Sequence, residues 1–70
     1  MPHIAVTMLP GRDRETKQKL AENLCNTLIE TLGVDAKFLS VSVEDVEMKE
    51  WENSMRRIPA ETIIVNPNKK

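Results

Sequence analysis

The sequence predicts an α/β fold in which one β-α-β unit is followed by a short helix and a short third strand, within a single domain over residues 1–70. Three observations predict it. Residues 3–8 alternate, with Ile4, Val6 and Met8 on one side and His3, Ala5 and Thr7 on the other. Leucines then recur every fourth position at Leu20, Leu24, Leu28 and Leu32. Residues 40–46 alternate again, with Val41 and Val43 set against Ser40, Ser42 and Glu44. A period of two marks a half-buried strand, and apolar residues at four-residue spacing mark one face of a helix.

The boundaries follow from local chemistry. Pro10-Gly11 breaks the first strand. Asp13 suits the N-cap of a helix over 14–32, and Glu15 in its first turn complements the helix dipole. Ala21 and Cys25 widen the leucine stripe, and Gly33 suits the left-handed residue that ends a helix. Asp35 to Phe38 reads as one helical turn. A crossover of this length between two strands implies that they are parallel and that the connection is right-handed. Met48 to Arg57 reads as a short helix carrying Trp51 and Met55, ended by Pro59. Thr62 to Val65 is rich in β-branched residues and predicts the third strand, stopped at Asn66-Pro67. The tail Asn68-Lys69-Lys70 reads as loose.

Size sets the next constraint. A domain of 70 residues buries only about 60% of the surface its unfolded chain exposes. Such domains usually gain support from disulfides, a metal or a partner. Cys25 is the sole cysteine, so no disulfide closes within the chain. One cysteine and one histidine, His3, fall short of a four-ligand zinc site. Two strands under one helix are also marginal alone. A homo-oligomer is therefore expected, with sheets from two or more chains joined or stacked.

Ten basic and eleven acidic residues give a net charge of −1. With no basic excess, nucleic acid is not an expected partner. The N-terminus lacks the layout of a secretory signal, and no run approaches the roughly 18 apolar residues of a membrane span. These features and the lone cysteine point to the cytoplasm.

Pro2 is the first residue with chemistry to offer. Methionine is normally removed before a small second residue, and removal of Met1 frees a secondary amine. A neutral amine at a pocket mouth acts as a general base, and an apolar site or a nearby cation keeps it neutral. Were Met1 retained, the Pro2 nitrogen would be an amide without a basic lone pair. Proline in this position is common without such a role, so Pro2 needs company.

Company is found along the chain. Met-Pro-His-Ile opens an alternating strand. Pro10-Gly11-Arg12 and an acidic helix start follow, then Gln18-Lys19 and the leucine stripe, then Ser40-Val41-Ser42-Val43 and Glu44-Asp45-Val46. This order resembles the 4-oxalocrotonate tautomerase family of the tautomerase superfamily. Trp51 and the segment from Ile58 to Pro67 further resemble its phenylpyruvate tautomerase subgroup.

The resemblance implies a keto-enol tautomerase that acts on a 2-keto acid or its enol, with Pro2 as the proton shuttle and no metal or cofactor. It implies a small carboxylate substrate bound by Arg12, whose guanidinium fork suits two oxygens and whose charge helps keep Pro2 neutral. It implies an oligomer, hexamer or dimer. Trp51 falls where an aromatic wall near the proline is expected, although a lone tryptophan serves equally as a packing anchor. Ser42 stands at the substrate-binding place where the family's type enzymes carry a second arginine. That departure favours a monocarboxylate substrate or a weak activity. Arg56 or Arg57 offers a second cation from another direction, or decorates an exposed helix face.

The remaining polar residues read more plainly. His3 is a strand-surface histidine, with a role beside Pro2 as the alternative. Arg14 decorates the helix start. Cys25 is a small apolar residue of the helix stripe, and Phe38 is a packing residue. The acidic residues Glu44, Asp45, Glu47, Glu50 and Glu52 form a solvated face. Two further readings stay open: a non-catalytic binding module on the same fold, and a haloacrylate hydratase or dehalogenase in which Glu44 or Glu52 activates water.

Overall fold

The structure, a computed structural model, describes residues 1–67. Strand β1 spans His3–Met8, helix α1 Arg14–Leu32 and strand β2 Ser40–Asp45. A single 3-10 turn over Ala36–Phe38 precedes β2. After β2, another over Met48–Glu50 leads into the short helix α2, Trp51–Arg56. The β-α-β unit and the short helix are those that the sequence predicts. The expectation for residues 68–70 lies outside the described residues.

The two strands are parallel, as the crossover requires. His3 pairs with Ser40, Ala5 with Ser42, Thr7 with Glu44, and Met8 with Asp45. Just past β2 the Val46 N–H donates to the Met8 carbonyl at 2.8 Å, which carries the ladder one residue further. This register aligns the two alternating patterns, so each face of the sheet has one character.

Helix α1 is fixed at both ends by the residues that the sequence marks. The Asp13 carboxylate accepts from the Thr16 N–H at 2.8 Å. The Asp13 carbonyl accepts from the Lys17 N–H at 3.2 Å. At the other end Gly33 takes φ 71° and its N–H donates to the Ile29 carbonyl at 2.8 Å. Lys17, Leu20, Ala21, Leu24, Cys25, Leu28 and Ile29 are half-buried and define the inward face. Leu32, the last of the predicted stripe, is 59% exposed. Lys17 reaches across to Asp45 at 2.7 Å and ties α1 to the end of β2.

One prediction is corrected. Thr62 to Val65 forms no strand. Ala60–Thr62 is a 3-10 turn directly after Pro59. The Thr62 N–H and hydroxyl both donate to the Pro59 carbonyl, at 2.9 and 2.7 Å. Ile64 and Val65 lie 86% exposed. A strand needs a ladder partner, and the sheet of the described residues contains only β1 and β2. β-branched composition alone does not supply that partner.

The core is thin. Val46 is the one buried apolar residue among those described. The chain exposes 6053 Å², where a folded monomer of this size exposes about 4,450 Å². No helix among the described residues is long and apolar enough to cross a membrane.

Candidate functional site

Pro2 sits one residue before β1 and is half-buried, while Met1 projects into solvent at 98% exposure. Arg12 lies beyond the opposite end of β1, exposed in the connection to α1. Gly11 turns that connection with φ 134°, a region that side chains disfavour. Six strand residues separate the two sites, a span of about 20 Å at 3.3 Å per residue. An arginine side chain does not cover that distance. One chain therefore does not bring Arg12 to Pro2.

Trp51 opens α2, which follows the C-terminal end of β2. Because the strands are parallel, that end lies beside the end of β1 that leads to Arg12. Trp51 is half-buried and lines an open groove of 680 Å³ with Met55, Ile58, Pro59 and Ile63, rimmed by Arg56. Neither Pro2 nor Arg12 lines this groove. The Arg56 guanidinium donates to the Asn53 side-chain oxygen at 2.7 Å and lies 3.6 Å from Glu52. It is thus occupied within its own helix. Arg57 lines a separate cavity with Glu44, Asp45, Glu47 and Glu50.

Ser42 has a different setting. It lies on the open face of the sheet, away from α1. The opposite, helix-side face carries Val41 and Val43, which line a cleft with Lys17, Gln18 and Ala21 of α1. On the open face the His3 ring spans both strands. Its Nδ1 is 2.6 Å from Ser40 Oγ and its Nε2 is 3.1 Å from Ser42 Oγ. His3 is thus more than a solitary surface histidine. Sequence reasoning did not connect the three residues. The signal was present, since all three have the same parity on strands expected to pair in parallel.

Hydrogen bonding to the Thr16 side chain, and then to its backbone N–H, holds the Asp13 carboxyl below its ordinary value of 3.8. The Asp13 charge therefore belongs to the helix cap beside Arg12.

The comparisons with known proteins agree with this architecture. A family model described as "Tautomerase enzyme" matches residues 2–52. That stretch begins at Pro2 and includes the whole β-α-β unit. A "Probable tautomerase" from Xylella fastidiosa (strain 9a5c) is 47% identical over 51 residues, covering 73% of this chain and 62% of that protein. The chain thus spans less than two thirds of that relative's length. A "Probable tautomerase" from Bacillus cereus is 31% identical over 58 residues, covering 83% of this chain and 95% of that protein. "Probable tautomerase RSp1151" from Ralstonia nicotianae is 27% identical over 56 residues, covering 80% of this chain and 86% of that protein. With the family model covering more than half of the chain and the β-α-β unit in place, this protein belongs to the tautomerase family.

Proposed function

We propose that the chain is a keto-enol tautomerase that acts on a 2-keto acid or its enol without a cofactor. The observation that carries this reading is the family match, which starts on Pro2 and runs through both strands. Removal of Met1 frees the Pro2 amine. The neutral amine accepts the proton of the enol hydroxyl, and the C=C electrons shift as the carbonyl forms. The resulting ammonium delivers a proton to the adjacent carbon. Arg12 holds the substrate carboxylate through paired charge-assisted hydrogen bonds. Trp51 excludes water from the reacting atoms. Ser42 contacts the substrate as a hydroxyl group where the type enzymes use an arginine. A single carboxylate suits this arrangement.

Such a site is completed by a second copy of the chain. Two copies side by side with opposed strand directions bring Arg12 and Trp51 of one toward Pro2 of the other. The surface supports this reading, because the chain exposes about 1,600 Å² more than a monomer of its size. That is about twice the ~800 Å² that each partner buries in a standard interface, enough for more than one contact with other copies. The assembly is a dimer or a hexamer, and the expected place of work is the cytoplasm.

The test compares the natural protein, its mass confirming loss of Met1, with a Pro2→Ala variant. Ketonisation of phenylenolpyruvate is followed by ultraviolet absorbance. The variant should lose about 10²–10⁴ in rate, the contribution of a positioned general base. An unchanged rate removes Pro2 from the chemistry. Absence of turnover by the natural protein on any enol tried points to the binding module instead.

A further inference from the structure

We propose that His3, Ser40 and Ser42 form a carboxylate-binding site on the open face of the sheet, one that is complete when His3 carries a proton. The choice of a 2-oxo acid as its ligand rests on the tautomerase reading. The hydrogen-bonded trio itself does not.

The argument starts from proton counting. A neutral imidazole has one N–H and one lone pair. Its two serine contacts, at 2.6 and 3.1 Å, therefore differ in kind. The ring donates to one hydroxyl oxygen, and the other serine must donate its only proton to the ring. An imidazolium has two N–H groups and no lone pair, so it donates to both oxygens. Both serine protons are then free to turn away from the ring. The face now offers two hydroxyl donors beside a full positive charge, with the donors held one on each side of the ring. A carboxylate, with two acceptor oxygens and a negative charge, matches that set.

The surroundings leave the site open. Ala5 is opposite Ser42 in the ladder and adds only a methyl group to this face. His3, Ser40 and Ser42 are all exposed. On β2 the charged neighbour on this face is Glu44, two residues past Ser42 and paired with Thr7. Asp45 and Lys17 are engaged with each other on the helix side. Next to His3 along β1 lies the N-terminal segment, and Lys37 stands three residues before Ser40 in the turn that precedes β2. Ser42, at the place where the resembled family's type enzymes carry an arginine, is in this proposal part of a site whose positive charge is the imidazolium of His3.

His3 is the sole histidine, so its ring proton gives one assignable NMR signal. Its titration is followed with pyruvate and, at matched ionic strength, with chloride. A ligand that prefers the imidazolium raises the titration midpoint. A rise of about 0.5 pH unit corresponds to about threefold preference for the protonated form. The rise is expected in the natural protein and equally in Pro2→Ala, so that failure of carboxylate binding by the trio and failure of the proline chemistry are told apart. It should vanish in Ser40→Ala and Ser42→Ala, with circular dichroism confirming the fold, and return in Ser42→Thr. A midpoint that pyruvate leaves where chloride does overturns the proposal. So does a rise that survives in either serine-to-alanine variant.

Discussion

Val46 is the residue on which the thin core is centred, and its truncation gives the sharpest test of how this chain is held together. The residue is 8% exposed, and its backbone N–H closes the sheet ladder onto Met8. Val46→Ala leaves that hydrogen bond intact and removes two buried carbons. At about 0.8 kcal/mol per buried methylene, the transfer loss is about 1.6 kcal/mol. Incomplete collapse of the space brings the total to about 2 kcal/mol. In a domain of this size each kcal/mol moves the melting midpoint by about 4–8 °C, so a fall of about 8–16 °C is expected. The assay is thermal denaturation by far-ultraviolet circular dichroism at fixed protein concentration. Lys19→Ala, on the exposed side of α1, is the control and should stay within about 0.5 kcal/mol of the parent. A fall for Val46→Ala no larger than that of the control refutes the reasoning and moves the stabilising contacts elsewhere.

Three further outcomes follow from the same structure. Gly33→Ala meets no atom within 4 Å but must adopt φ 71°, so it should cost about 1 kcal/mol through the backbone alone, read as a lower melting midpoint. Asp13→Ala should lower stability at neutral pH and lose its effect in acid. The folded carboxyl is held below its unfolded value, so the capping contribution is present above the unfolded value and is lost as pH falls through the folded one; melts of both proteins across acidic pH should converge. Dilution should lower the melting midpoint, because a protein stabilised by its own copies unfolds more easily when they dissociate; a midpoint independent of concentration, with a monomer mass in sedimentation, contradicts the assembly.

The elements were legible where local chemistry and periodicity agreed. Asp13 and Gly33 mark α1 to the residue because each satisfies a backbone group that the helix leaves unpaired. The parallel pairing followed from the length of the crossover. The segment at Thr62 to Val65 was misread because its β-branched residues state a preference that only a neighbouring strand can satisfy. At the site, Pro2 and Arg12 were each visible as residue types. Their separation was not, because it is set by the length and direction of β1. The His3 trio was hidden for a related reason: its members are far apart in sequence and meet only through the ladder register.

That register also shapes how the chain folds. Every rung of the ladder joins residues 37 apart, so no strand contact forms until a long loop has closed. Helix α1 lies wholly within that loop, and its formation replaces much of a flexible tether with a rod of about 28 Å. Closure entropy is thereby paid through local structure first. If the helix forms first, changes at Asp13 and Gly33 should act mainly on the folding rate, whereas changes at Val46, at the far end of the ladder, should act mainly on unfolding.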